Sequence, residues 1–214
     1  MNNKLIAIIG PDGTGKSTQI NLLIDDLKEK GITYEYKWLR FHHLFSFPIL
    51  GLARLLGLSE IKTLKNGEKV GYHYFNRSKV ISGLYSISLF VDTVVFTIVK
   101  VYIPMKLFNK NIACDRFIYD TLIDLMISTE NFDIYKSTLG KLFLGLIPKN
   151  SKFLMLITDE DVLKERGEDV KYDKTLNSKI SLYEELAQKF KIYVIDAQLP
   201  INQIQKQIVE KISG

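Results

Sequence analysis

Cysteine is nearly absent: Cys114 is the single one in 214 residues. That excludes an internal disulfide and any multi-cysteine metal site, and it fits a reducing cytoplasm. Charge of one sign is not in excess either. The net charge of +5 is mild and spread along the chain. It suits a solvated surface with cationic phosphate-handling residues better than nucleic-acid binding. Repeats, low-complexity tracts and interdomain linkers are missing, so residues 1–214 read as one domain. No signal peptide is expected, because the first strand signal begins at residue 4. Apolar runs are short as well. Residues 84–99 fall below the length of a span and carry Asp92 at the middle, and residues 44–58 hold Arg54. Both are expected to be buried helices of a cytoplasmic protein without stable membrane insertion, which leaves attachment to a membrane surface open.

What the chain does contain is a glycine loop in an informative setting. Gly10-Pro11-Asp12-Gly13-Thr14-Gly15-Lys16-Ser17-Thr18 follows the apolar run Leu5-Ile6-Ala7-Ile8-Ile9. A helical pattern, Ile20, Leu23, Ile24 and Leu27, comes after it. Strand, loop and helix together are the context a phosphate-binding loop requires. The glycines let successive backbone N–H groups turn inward onto phosphate oxygens at a helix N-terminus. Gly10, Gly13, Thr14, Gly15, Lys16, Ser17 and Thr18 are therefore the expected phosphate-binding set. Lys16 would reach the β- and γ-phosphates of ATP, and Ser17 would ligate Mg²⁺.

The rest of the chain alternates strand and helix signals. Strands are predicted at 4–9, 33–39, 110–115, 152–157 and 191–195. Helices are predicted near 16–30, 45–57, 72–104 (broken around Ser82-Gly83), 118–146 (broken near Asn131), 159–166, 174–190 and 201–212. Residues 59–71 read as a polar surface loop. Such alternation predicts an α/β fold with a five-stranded parallel sheet and helices on both faces.

A second chemical signal closes the third strand, Asn111-Ile112-Ala113-Cys114-Asp115-Arg116. A carboxylate at the end of a neighbouring strand can hold the metal beside a phosphate loop, which assigns Asp115 with Ser17 to Mg²⁺. The arginine after it can clamp a phosphate with two parallel bonds.

With Asp115-Arg116-Phe117 following Gly-x-Asp-Gly-x-Gly-Lys-Ser-Thr, the chain resembles the thymidylate kinase family of P-loop nucleoside monophosphate kinases. Leu163-Lys164-Glu165-Arg166-Gly167-Glu168 and Tyr183-Glu184-Glu185-Leu186-Ala187 resemble that family's lid and following helix. The resemblance implies transfer of the γ-phosphoryl of Mg·ATP to a monophosphate, dTMP first, within a homodimer built on apolar helical faces such as 84–104. It implies that Asp12 receives the acceptor sugar and that Arg40 and Arg116 contact the acceptor phosphate. Phe90 would stack on the base. A lid at about 164–175 would supply the transition-state cation, Arg166 with or without Lys171 or Lys174, unless Arg166 is a solvated helix end.

Several positions depart from the family pattern. Val94 stands where an arginine is usual, Asp124 and Leu125 where Tyr-Gln is usual, and Arg40-Phe41-His42-His43 where Arg-Glu-Pro-Gly is usual. The donor half looks intact and the acceptor half remodelled. Asp92, within an apolar run, is either a buried structural partner or an acceptor contact. Asp120 and Asp124, one helical turn apart, either both line the acceptor pocket or serve as a buried cap and an exposed carboxylate. His42 and His43 read as loop residues. Two other readings stay open: a hydroxyl acceptor such as a deoxynucleoside, with Asp12, Asp92 or Asp115 as base, and a non-catalytic ATP-binding regulator.

Overall fold

The computed structural model describes residues 4–40, 43–63, 67 and 69–213. Its centre is a five-stranded parallel sheet in the order β2-β5-β1-β6-β7. These strands are β1 (Leu5–Ile9), β2 (Tyr34–Trp38), β5 (Asn111–Asp115), β6 (Ser151–Ile157) and β7 (Tyr193–Asp196). Their positions match the five runs read from the sequence. Parallel strands need crossover helices on both faces, so the central strands are apolar on both sides. β1 is buried at every residue. Ile6 and Ile8 pack with Ile20, Leu23 and Ile208 on one face, while Leu5, Ala7 and Ile9 join Leu122, Met126 and Leu186 on the other. The result is a P-loop α/β fold in three layers.

The helices follow in chain order: α1 (Lys16–Glu29), α2 (Ser46–Leu55), α3 (Lys79–Thr97), α4 (Ile103–Leu107), α5 (Ile118–Thr129), α6 (Thr138–Gly145), α7 (Glu160–Arg166), α8 (Glu168–Lys171), α9 (Leu176–Phe190) and α10 (Ile201–Ser213). The predicted break near Asn131 is present, where Glu130 adopts a left-handed φ of 49° and ends α5.

Three expectations are corrected. Residues 59–71 do not form a loop: β3 (Ser59–Thr63) and β4 (Lys69–His73) pair antiparallel as a separate hairpin. Nor does the long apolar helix begin at residue 72 or break at Ser82-Gly83. A 3₁₀ turn at Phe75–Arg77 precedes it, Ser78 caps it, and Ser82 N donates to Ser78 O at 2.9 Å. Gly83 simply occupies an exposed helical position. Finally, neither apolar run is a wholly buried helix: in 44–58 only Ser46 and Ala53 are buried, and 84–99 buries Tyr85, Leu89 and Asp92 on one face while exposing Leu84, Ile87 and Val91 on the other. A π-helical segment, Ile98–Tyr102, joins α3 to α4 and gives 29 helical residues, Lys79–Leu107, enough by length and composition to cross a membrane. Only 28% of its most apolar stretch is buried.

Candidate active site

The loop between β1 and α1 forms the floor of the site. Gly10 has φ 141°, and a Cβ placed there would lie 2.1 Å from Leu156 O, so the close approach of β6 admits only glycine. Gly13 and Gly15 are left-handed at φ 82° and 83°, which curls the chain into α1. Thr14 Oγ1 donates to Pro11 O at 2.9 Å and fixes the turn. Lys16 folds back over this loop, donating to Pro11 O and reaching Thr14 Oγ1 at 3.3 Å. Burial, helped by the charge of Arg116, pushes its ammonium down to about 7 against the pull of the Asp12, Asp120 and Asp115 carboxylates. Thr18 lies exposed in the first turn of α1.

The end of β5 brings the next pair. Ser17 donates its hydroxyl to Asp115 Oδ2, and Tyr36 of β2 donates to the same oxygen at 3.0 Å. Asp115 Oδ1 is buried and, among the described residues, has no hydrogen-bond partner. An unpartnered buried carboxylate oxygen beside a serine hydroxyl fits a hard divalent cation, which needs few protein ligands when phosphate and water fill the remaining positions. Among the described residues no group of three or more His, Cys, Asp or Glu is placed to hold a metal ion by itself, so a closed all-protein metal cage is not what this site offers.

Two arginines converge on Asp12. Arg40 Nη1 lies 2.8 Å from Asp12 Oδ2, and Arg116 Nη2 donates to Asp12 Oδ1. Arg116 Nη1 also donates to Gly10 O at 3.1 Å. Burial would raise the Asp12 carboxyl, but Arg116, Arg40 and Lys16 together hold it well below the usual carboxylate range. Both guanidinium groups are almost fully buried, whereas Asp12 reaches solvent. The constellation is a double-cation anchor with one open side.

Asp120 and Asp124, a turn apart on α5, do different work. Asp120 is buried: Oδ1 accepts from Tyr183 Oη at 2.7 Å and Arg116 Nη1 at 3.2 Å, and Oδ2 accepts from Phe117 N at 3.0 Å. It orients Arg116 and the start of α5 from beneath. Asp124 instead grips Arg40. Asp92 is placed apart, inside the α2–α3 contact. Its oxygens accept from Phe45 N (2.7 Å), Ser46 N (2.9 Å) and Ser46 Oγ (2.5 Å), so it anchors the N-terminus of α2. Phe90 turns toward α6 and meets Phe143 edge-on at 5.1 Å.

A crevice beside Arg40 is lined by Leu39, Leu89, Phe96, Phe117 and Thr121. His43 shares a hydrogen bond with Ser46 Oγ at 2.8 Å, while Phe41 and His42 lie outside the described residues. Arg166 reaches the loop from α7, with Nη1 3.4 Å from Gly13 O and Nη2 2.9 Å from Ala197 O. Leu163 and Val170 pack against Gly13, so α7 and α8 cover this side of the loop. Lys171 and Lys174 are exposed.

Sequence reading missed Tyr36, a strand tyrosine with no local motif, and it quoted Tyr183 only within a helix motif; the folded contacts with Asp115 and Asp120 single them out.

No family model matches the chain. One segment of 31 residues, 14% of the chain, is 55% identical to a protein named thymidylate kinase from Exiguobacterium sp., of which it covers 15%.

Proposed function

We propose that this chain is a nucleotide kinase that transfers the γ-phosphoryl of Mg·ATP to a nucleoside monophosphate, dTMP being the leading acceptor. The observation that carries the reading is the convergence of Arg40 and Arg116 on Asp12, beside a phosphate loop whose lysine is buried at its rim. An acceptor phosphate can take the place of the Asp12 carboxylate between the two guanidinium forks. The partial likeness to a thymidylate kinase supports a nucleotide kinase in general.

In this reading the loop N–H groups and Lys16 cradle the donor phosphates, and Ser17 with Asp115 would hold Mg²⁺. That ion would neutralise charge on the donor phosphates. A phosphate acceptor is already an oxyanion, so positioning and charge neutralisation carry the rate. Arg116 aligns the acceptor from one side, and Arg166, next to Gly13, supplies positive charge from the other.

One observation favours a hydroxyl acceptor instead. Arg40 is already matched by two carboxylates, Asp12 and Asp124, which lowers its appetite for a third anion. Asp12 is a weak base in this setting, since its carboxyl is held so low.

ADP release measured over a panel of nucleosides and monophosphates tests both readings. Turnover with dTMP, lost by several orders of magnitude in Lys16→Ala, is the expected result. Comparison of kcat/KM for dTMP, dUMP, dCMP and dGMP should show weak preference, because Val94, Asp124 and Leu125 offer few matched groups for a thymine edge. Turnover of nucleosides alone selects the hydroxyl acceptor. ATP binding without any acceptor-dependent turnover selects the regulator, and full activity in Lys16→Ala overturns the kinase.

A further inference from the structure

β2 closes one edge of the sheet and pairs in parallel with β5, setting Tyr36 opposite Ala113 and Trp38 opposite Asp115. Alternation along the strand puts Tyr34 and Tyr36 on one face, the face where Tyr34 and Ala113 pack with Ile20 and Leu23 of α1. Ala113 offers only a methyl group there, so the longer Tyr36 side chain has room to lean along the strands toward the end of β5. Its hydroxyl arrives 3.0 Å from Asp115 Oδ2. A tyrosine serving only as a strand former at an exposed edge would leave its hydroxyl in water. Tyr36 is 41% exposed, yet it donates to a carboxylate that is 1% exposed.

The carboxylate depends on such donors. Asp115 makes no ion pair among the described residues, so its buried charge is met by two neutral hydroxyls, Ser17 Oγ and Tyr36 Oη. Both of these bonds fall on Oδ2, while Oδ1 stays buried and, among the described residues, without a hydrogen bond. Rotation of the carboxylate about its Cβ–Cγ bond would exchange the two oxygens, and that torsion is intrinsically soft. Two donors gathered on one oxygen from different elements, α1 and β2, oppose the rotation. They hold the same oxygen bare. The serine is arranged to match: its proton is directed at Oδ2, which leaves the lone pairs of Oγ for a hard cation. With Tyr36 removed, Ser17 alone would have to orient both itself and Asp115.

We propose that Tyr36 is a positioning residue for the metal: by donating to Asp115 Oδ2 it keeps Oδ1 available to the divalent cation that accompanies the donor nucleotide. The inference rests on the reading that Ser17 and Asp115 hold Mg²⁺. Hydrogen-bond partners behind a metal ligand commonly set about 10–100-fold in metal affinity. Calorimetric titration of ATP into the full chain, once in excess Mg²⁺ and once in excess EDTA, isolates that contribution as the ratio of two dissociation constants. Tyr36→Phe keeps the ring and removes only the hydroxyl. It should lower the ratio by roughly tenfold while leaving ATP affinity in EDTA unchanged. Asp115→Asn should lower the ratio as well. Equal weakening of ATP in both conditions by Tyr36→Phe leaves the ratio where it was, makes the tyrosine purely structural and overturns the proposal. A ratio lowered by Asp115→Asn but untouched by Tyr36→Phe also overturns the positioning role, with the metal assignment intact. A ratio moved by neither substitution overturns the metal assignment and the proposal together.

Discussion

Arg40 and Asp124 meet as a two-bond fork, Nε to Oδ2 at 2.8 Å and Nη2 to Oδ1 at 2.9 Å. The planar guanidinium is thereby fixed in orientation, and its remaining nitrogen, Nη1, is presented to Asp12. Asp124 thus sets where a second anion can bind, although it need not touch that anion itself.

Asp124→Asn keeps the shape but removes the charge and half of the fork. Arg40 is nearly buried, so the loss of one of its carboxylate partners leaves its charge less well balanced. We expect a stability loss of about 1–3 kcal/mol by chemical denaturation. The KM for a phosphate acceptor should change more than kcat, because Arg40 acts in placement. An unaltered KM with an unaltered denaturation midpoint would remove Arg40 and Asp124 from the site.

Asp12 predicts an acid limb. Its folded-state carboxyl titrates well below the ordinary value of 3.8. A depressed carboxylate contributes stability in full above its unfolded value and loses that contribution as pH falls toward its folded value. Wild type should therefore exceed Asp12→Asn in stability at neutral pH, by roughly 1 kcal/mol given the solvent access of this side chain. The gap should narrow below about pH 4. Denaturation curves of the two proteins across that range check it, and a gap that widens on acidification would contradict the pairing with Arg40 and Arg116.

Much of the fold was legible because its signals are local. Four of the five sheet strands are short β-branched or apolar runs and β2 alternates aromatic with charged residues, while the glycine loop is set by backbone geometry that few sequences tolerate. The Ser17–Asp115 pair could also be anticipated, since each residue sits at a motif position. The hairpin was not legible: Ser59-Glu60-Ile61-Lys62-Thr63 has one apolar residue, so no two-residue alternation marks β3. Ser82-Gly83 misled in the opposite direction, because an exposed glycine weakens a helix without ending it. The buried-cap reading of Asp120 is met at Phe117 N, but its long-range contacts were hidden. Its partners, Gly10 and Tyr183, lie 110 and 63 residues away, and only the folded chain brings them together.

Gly10→Ala probes the floor of the site. The methyl group would meet Leu156 O at 2.1 Å, a backbone atom that cannot rotate away, and φ 141° is itself unfavourable for alanine. The β1–β6 pairing must shift to admit it. A stability loss of about 3 kcal/mol or more is expected, within the range of the larger single-site effects, together with loss of ATP binding. Thermal denaturation measures the first and nucleotide titration the second. Wild-type values in both would mean that β6 does not approach the loop this closely.

Lys16 links ATP binding to protons. In the folded protein burial, with the neighbouring Arg116 charge, brings its ammonium down to about 7. A bound polyphosphate favours the charged form and must raise that value again. Below about pH 6 the lysine is already protonated, so little proton exchange should accompany binding; near pH 8 about one proton should be taken up. Affinity should consequently fall by up to about tenfold per pH unit once the pH passes 7. Isothermal titration in two buffers of different ionisation enthalpy separates this uptake from the intrinsic heat. Lys16→Met has no group to reprotonate, so its binding should be weaker and its proton uptake reduced to what ATP itself contributes. Equal uptake in the two proteins would assign the proton to another group and place Lys16 among permanently charged lysines.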